Sequence, residues 1–317
     1  MHSVREADDP RFTPVRRRAD LLAEGWNDKA IKAMVASGQL VRVRHGAYAS
    51  RAAWIQAGPV GQHEIRARAV LQQGKSDLVL SHNTGGAVWD IPFWDTELDV
   101  VDVTRRDGRS GRKEAGVRQH RGKLLDDDVV VRHGLPVVGA TRLGLELTLV
   151  NPVEQALSYV NHLLHAGDTS LDELSERYRS SMDRWPNSLS TELVLRLARP
   201  LIENVAESRS FYLCWRQHLP LPVPQHPVYD NGALLARLDF AWPELGVWLE
   251  FDGKVKYAAL VPEGQSASDV VVREKQREDR IRELTGWRCV RITWADLYRP
   301  EATALRIRRA LFPAAAA

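Results

Sequence analysis

The residue types best suited to chemistry lie between Arg237 and Lys254. This stretch predicts two strands joined by a tight turn at residues 243–246. Because side chains alternate along a strand, Glu250, Asp252 and Lys254 are expected on one face. Asp239, on the preceding strand, lies near them if the two strands pair.

Three carboxylates and a lysine on a half-buried sheet repel and desolvate one another unless something compensates. A divalent cation with oxygen ligands is the usual compensation. The stretch is therefore a candidate site for metal-dependent hydrolysis of a phosphodiester. The competing interpretation is a solvated, salt-bridged strand edge.

The elements that position this site are predicted over residues 190–317. A helix carries Glu207, and Asp230-Asn-Gly232 is a strong hairpin signal between two strands. A charged helix from about residue 270, a fourth strand from Trp287 and a closing helix from Pro300 follow. The order αβββαβα predicts a compact, restriction-endonuclease-like α/β domain.

Residues 1–55 predict a winged helix-turn-helix. Thr13-Pro14 is typical of a helix start, and Asn27 can cap a second helix over residues 28–37. Residues 40–48 alternate like a hairpin with its turn at His45-Gly46.

Exposed cations on these elements suit double-stranded DNA. Lys29 and Lys32 point outward from the second helix, which can enter the major groove, while Arg42 and Arg44 on the wing can lie on phosphates. The alternative is a small packing module with an incidental charged surface.

Residues 56–189 predict a mixed α/β unit with a helical connector. Short strands are expected near residues 77–80, 98–104, 117–120, 129–132 and 135–138, with helices from about residue 139 onward. No chemistry is assigned to the helical part. The overall fold class is therefore α+β and multidomain.

Composition sets broad limits on the class of protein. The chain has 317 residues, 27% charged residues and a formal net charge of only +3, which is typical of an ordinary soluble protein. Cys214 and Cys289 have no metal-binding or redox spacing and predict buried thiols in a reducing cytoplasm. No apolar run is long enough to cross a membrane, and the polar N-terminus argues against a signal peptide.

Two parts of the chain resemble known families. Residues 14–50, especially Leu21-Leu-Ala-Glu-Gly-Trp26 and residues 38–48, resemble the winged helix of AbiEi-type antitoxins. The resemblance continues more weakly from Ser81-His-Asn-Thr84 to Thr141-Arg142. It implies a repressor of its own promoter, a nucleotidyltransferase-like toxin as partner, and a homodimer that reads inverted repeats.

The C-terminal residues are similar to very-short-patch repair endonucleases of the PD-(D/E)xK superfamily. The segments that carry this resemblance are Glu207-Ser-Arg-Ser210, residues 237–257, 274–279 and 286–297. It implies that Glu207 is the acid of the first helix and that Asp239 and Glu250, with the carbonyl of Phe251, bind Mg²⁺. The ion would polarise the scissile phosphate and lower the pKa of a bound water.

The sequence departs from that superfamily at the expected lysine, because Asp252 stands two residues after Glu250. Lys254 or Lys256 could supply the ammonium, as could Lys275 or Arg280 on the next helix. The motif can also be aligned one register later, as Asp252-Gly-Lys254, or the domain can bind DNA without cleaving it.

Three functions follow from these observations. The first is a DNA-binding regulator of the antitoxin type that carries a nuclease-fold domain. The second is an active Mg²⁺-dependent endonuclease that its winged helix directs to DNA. The third is a protein that neutralises a toxin and does not bind nucleic acid.

Overall fold

The computed structural model describes residues 5–6, 8–74, 77–107, 113–114, 116–182, 185, 188–252 and 267–313, with the backbone alone at 113–114 and 267–274. The chain divides into two compact units, an N-terminal unit of residues 1–196 and a C-terminal unit of residues 197–317. Within the described ranges, no helix combines the length and apolar character that a membrane span requires.

The N-terminal unit alternates short strands with helices. Its elements are β1 (Arg16–Arg17), α1 (Arg18–Ala23), α2 (Asp28–Ala36), β2 (Leu40–Arg44), β3 (Ala47–Ser50), α3 (Arg51–Gln56), α4 (Gly58–Gln73), β4 (Leu78–Leu80), α5 (His82–Val88), β5 (Val101–Arg105), β6 (Lys113–Glu114), β7 (Val117–His120), β8 (Val129–Arg132), β9 (Leu135–Val138), α6 (Ala140–Val150), α7 (Val153–His165), α8 (Leu171–Ser181) and α9 (Ser188–Leu197).

The first elements of this unit have the arrangement of a winged helix. In the described part of the chain, β1, β3 and β2 form an antiparallel sheet in that order. The β2–β3 hairpin turns at His45-Gly46, where Gly46 has a φ of +69°, a conformation that glycine adopts without steric cost. Buried Val43 of the hairpin packs with Ile65 of α4, so the hairpin is anchored to a helix outside it.

The expected start of the first helix at Thr13-Pro14 is wrong. Thr13 instead ends a short 3-10 turn over Pro10–Phe12, and α1 begins at Arg18. The intervening residues Arg16–Arg17 form strand β1 because they pair with β3, where Arg16 lies opposite Tyr48. A pairing with a strand some thirty residues later outweighs the local capping signal.

The second sheet of the N-terminal unit is mixed. Among the described strands its order is β6-β7-β5-β4-β9-β8, with β4 parallel to β9 and β5 parallel to β7. Its core joins Leu80, Val103 and Val137 from three neighbouring strands. A second cluster joins α6 to α7 through Leu143, Leu147 and Leu163.

The C-terminal unit is a sheet with helices packed on it. Its elements are α10 (Val205–Arg216), β10 (Val223–Asp230), β11 (Ala233–Trp242), β12 (Val247–Phe251), α11 (Ala267–Thr285), β13 (Arg288–Ile292), α12 (Trp294–Leu297) and α13 (Pro300–Leu311). The described strands follow the order β10-β11-β12-β13, and only the last pair, β12 with β13, is parallel.

Two turns of this unit lie where the sequence predicts them. Asn231 and Gly232 both have positive φ, +48° and +83°, as a tight two-residue hairpin loop requires. A 3-10 turn over Pro243–Leu245 with left-handed Gly246 links β11 to β12. The element order αβββαβα is therefore present, with the short α12 added before the closing helix.

Candidate nucleic-acid interface and carboxylate cluster

The candidate DNA-reading surface is built on α2. The Asn27 side chain accepts a hydrogen bond from the Ala30 amide at 2.9 Å and so caps the helix. Ile31 is buried and fixes which face packs inward. Lys29 and Lys32 are consequently exposed on the outer face, as predicted for a helix that presents its cations to a ligand.

The hairpin adds two arginines to this surface. Arg42 is exposed and Arg44 half-buried on β2, on either side of buried Val43, and the ladder shifts its register between the two arginines. Among the described residues, neither arginine forms an ion pair, and the same holds for Lys29 and Lys32. Their charges are therefore available to an anionic partner.

The three consecutive arginines before α1 behave differently. Arg16, Arg17 and Arg18 pair with Glu24, Asp20 and Asp28, respectively. The hydrogen bonds from Arg17 and Arg18 lower the pKa values of Asp20 and Asp28. The strongest basic run in the sequence is thus largely neutralised locally, while the separated cations of α2 and β2 remain unpaired within the described chain.

In the C-terminal unit, Glu207 is a buried carboxyl on the first turn of α10. Its Oε2 accepts hydrogen bonds from the Glu203 amide at 3.0 Å and from Gln225 Nε2 at 3.3 Å, and its Oε1 accepts one from the side chain of Asn204. Burial raises the pKa of Glu207 to about 7, and the charge of Asp239 raises it as well. Glu207 can therefore exchange a proton near neutral pH.

Asp239 and Glu250 lie on paired strands. The β11–β12 register matches Phe240 with Leu249, which places Asp239 opposite Glu250 at the next position. Asp239 Oδ2 also accepts a hydrogen bond from the Phe251 amide at 2.8 Å. The structure thus brings together Asp239, Glu250 and Phe251, and Glu207 lies within electrostatic reach of Asp239.

Asp252, the next member of the predicted cluster, is placed differently. Strand β12 ends at Phe251, so Asp252 follows the strand, and its amide donates to the Ile292 carbonyl at 2.8 Å. Lys254 and Lys256 lie outside the described residues. Lys275 is exposed on α11, and Arg280 pairs with Asp230 at 2.8 Å.

Among the described residues, Arg277 is a cation that faces the cluster. Its Nη2 lies 3.6 Å from Glu250 Oε2, and sequence reasoning did not select it. The signal was present, because Arg277 precedes buried Ile281 by four residues and residues at that spacing share one face of a helix.

The described residues meet only part of the requirement for a metal. Asp239 and Glu250 offer the oxygen ligands that Mg²⁺ prefers. Within the described ranges, however, no three His, Cys, Asp or Glu side chains are grouped closely enough to hold an ion. The described residues therefore fit a bound metal only in part.

Sequence reasoning also missed a buried ionic network in the N-terminal unit. Arg142 is 2% exposed; its Nε donates to Glu146 Oε1 at 2.7 Å and its Nη1 to Asp128 Oδ2 at 3.1 Å. Arg177 donates to both oxygens of Asp128. The detectable signal was Arg142 four residues before Glu146, inside an otherwise apolar helix.

A second polar group lies beside this network. The rings of His82 and His120 stack with centroids 3.5 Å apart, and His120 Nε2 is 2.7 Å from Asp102 Oδ1. Burial and the neighbouring His120 lower the pKa of His82. His82 also has a φ of +50°, which is uncommon for a residue with a side chain.

The two cysteines are free thiols in the structure. Cys214 is buried and Cys289 only partly buried, so the expectation of two buried thiols holds for Cys214 alone. Burial raises the pKa of both thiols to about 12, which leaves them protonated at neutral pH.

Comparison with known proteins gives one family match. Residues 17–51 match the family described as a transcriptional regulator, AbiEi antitoxin. The matched segment runs from β1 through the wing, and therefore contains all four cations of the candidate DNA-reading surface.

Two relatives come from Mycobacterium tuberculosis, uncharacterized protein MT2308 of strain CDC 1551 / Oshkosh and uncharacterized protein Rv2248 of strain ATCC 25618 / H37Rv. Each is 33% identical over 110 residues, which is 34% of this chain and 37% of the relative. The match thus spans little more than a third of these relatives. The crystal structure of the RV2827C protein from the same species matches with 16% identity and a TM-score of 0.39, over 57% of this chain and 71% of that one.

Proposed function

We propose that this protein is a DNA-binding transcriptional regulator of the AbiEi antitoxin type. The observation that carries the proposal is the surface formed by Lys29, Lys32, Arg42 and Arg44, four cations on a helix and a wing that form no ion pair within the described chain. The family match over residues 17–51 supports it.

The arrangement suggests how DNA would be held. Helix α2 would enter the major groove with its exposed face, where Lys29 and Lys32 meet base edges or phosphates. The hairpin arginines would lie on the flanking backbone and fix the register of the helix. Small neighbours such as Ala33 and Ala36, both exposed, would let the helix approach the bases closely.

The test is a binding isotherm on a duplex that carries the protein's own promoter, at several salt concentrations. The Lys29→Ala/Lys32→Ala variant should bind about tenfold more weakly or worse, and its slope of log K against log salt should fall by about 2. The matched control is Arg179→Ala/Arg196→Ala, which removes the same charge from exposed positions of α8 and α9. Equal slopes of log K against log salt in the wild type and both variants would rule out the winged helix as the part of the protein that binds DNA.

Partners follow from the same proposal. We infer a nucleotidyltransferase-like toxin as the neighbour in the operon and a homodimer as the form that binds an inverted repeat, both in the cytoplasm. A neighbouring reading frame of that class and co-purification of its product would support the toxin. Sedimentation of the protein on one full operator would give the number of copies bound.

DNA hydrolysis is the second candidate function. It is favoured by the pairing of Asp239 with Glu250 and by the buried, protonatable Glu207 beside them. Incubation of supercoiled plasmid with Mg²⁺ or Mn²⁺ tests it. Nicking by the wild type that Asp239→Ala and Glu250→Ala abolish, and exposed Glu301→Ala retains, would establish the activity; intact plasmid in every metal would eliminate it.

A further inference from the structure

The N-terminal unit contains a cavity that the winged helix does not use. Its volume is about 500 Å³, within the range of pockets that hold small molecules. Residues that line it come from the segment after β7, from α8 and from the turn before α9; they include Arg121, Gly122, Lys123, Leu125, Arg177 and Trp185.

The charge at this cavity is positive. Arg142 and Arg177 are balanced by Glu146 and Asp128 through the buried network. Arg121 and Lys123 are exposed, and in the described part of the chain neither forms an ion pair. The residues lining the cavity include no carboxylate among those described. Two positive charges are therefore left to a ligand.

The wall of the cavity is held rigidly. Arg177 Nη2 donates to Asp128 Oδ2 at 2.6 Å, its Nε to Oδ1 at 3.1 Å, and its Nη1 to the hydroxyl of Ser181. Because the guanidinium is already oriented by these partners, little conformational entropy remains to be lost when a ligand contacts it.

An aromatic surface adjoins the charges. The guanidinium carbon of Arg142 lies 5.1 Å from the centre of the Trp185 ring. A Cβ on Gly122 would meet Arg142 Nη2 at 2.8 Å and Trp185 Cη2 at 3.3 Å. A side chain at this position would have to displace the end of Arg142, so the glycine lets the chain between Arg121 and Lys123 lie directly against Arg142 and Trp185, and the two cations are held beside an indole.

We propose that this cavity binds a nucleoside monophosphate unit. Arg121 and Lys123 would take the phosphate, which carries nearly two negative charges at neutral pH. Trp185 and Leu125 would take the base, since indole rings stack on any nucleobase. The unit could be a free nucleotide or the 5′-terminal nucleotide of a nucleic-acid strand, because both present the same chemistry.

The experiment uses isothermal titration of the full chain carrying Lys29→Ala/Lys32→Ala, so that binding by the winged helix, which keeps Arg42 and Arg44, is weakened from the start. The probes are AMP, adenosine, inorganic phosphate and a 5′-phosphorylated deoxyadenosine hexamer. AMP or the phosphorylated hexamer should bind at least about tenfold more tightly than adenosine or phosphate, since each half of the site contributes on that order. Binding of AMP would identify a free nucleotide as the ligand, and binding of the phosphorylated hexamer would identify the 5′-terminal nucleotide of a strand.

Variants test the location. Adding Arg121→Ala/Lys123→Ala should weaken binding about tenfold or more, while the equal charge change Arg179→Ala/Arg196→Ala should leave it unchanged. Both pairs are exposed, so folding is not at risk. Absence of binding by every probe, or binding that the Arg121/Lys123 variant retains, would overturn the proposal. Neither result depends on whether the winged helix reads DNA.

Discussion

At the scale of single residues, Glu207 makes stability depend on pH. In the unfolded chain its pKa is near the ordinary 4.5, and in the folded chain burial raises it to about 7. Between these values the unfolded chain has lost the proton that the folded chain keeps, so stability falls as pH rises from about 4.5 to 7, by at most about 3 kcal/mol.

Glu207→Gln cannot ionise, and its stability should decline less over this range than that of the wild type. Urea unfolding at pH 4.5 and at pH 7.5 measures the difference. The exposed Glu301→Gln variant serves as control and should follow the wild type. Parallel declines in wild type and Glu207→Gln would show that the carboxyl ionises as readily in the folded chain as in the unfolded one.

Arg142 is the residue on which the buried ionic network depends. Arg142→Met removes the guanidinium that pairs with fully buried Glu146, which then keeps the His82 amide as a donor. The change should cost about 3–5 kcal/mol because it leaves a buried charge poorly compensated. Arg179→Met, at a side chain that is 71% exposed, should change the free energy of unfolding by less than about 0.5 kcal/mol. Similar denaturation midpoints for both variants would contradict this account.

At the scale of elements, the cap of α2 can be tested directly. Asn27→Ala removes the side-chain oxygen that accepts from the Ala30 amide and should lower the free energy of unfolding by about 1 kcal/mol. Asn27→Ser keeps a capping oxygen and should lower the free energy of unfolding by only a few tenths of the amount expected for Asn27→Ala. Chemical denaturation of the two variants checks the order; a serine variant as weak as the alanine one would mean that the cap contributes little.

Elements specified by local sequence could be predicted, and those specified by distant pairing could not. Helix α2, the β2–β3 hairpin and the Asn231-Gly232 turn follow from caps, alternation and turn residues a few positions apart. Strand β1 was missed because its partner lies near Tyr48. The end of β12 at Phe251 was overestimated because alternation continues in the sequence after the strand stops.

The candidate sites also differ in whether local sequence or tertiary packing determines them. Lys29 and Lys32 could be placed on the outer face of α2 from helical spacing alone. The spacing of Arg277 to Ile281 indicates the helix face that Arg277 shares, but its approach to Glu250 depends on which strand that face meets. The cavity beside Trp185 could not be predicted, since it combines residues from segments about sixty positions apart whose proximity depends on tertiary packing.

At the scale of the whole molecule, the division into two compact units predicts separate folding. Among the described residues, buried clusters form inside each unit, such as Leu80 with Val137 in the first and Leu238 with Trp248 in the second. Residues 1–196 and 197–317, produced as separate fragments, should each give dispersed amide spectra and a cooperative thermal transition. A fragment with collapsed spectra would show that its core needs the rest of the chain.

The parallel pairing of β12 with β13 has a consequence for the time course of folding. Val247 faces Arg288 in that ladder, so the two strands are about forty residues apart in sequence and meet only after a long crossover has closed, at an entropic cost. The β10–β11 hairpin closes over two residues and can form early as a template. The edge strand β13, where Arg291 faces Glu250, is accordingly among the last parts of its unit to be assembled.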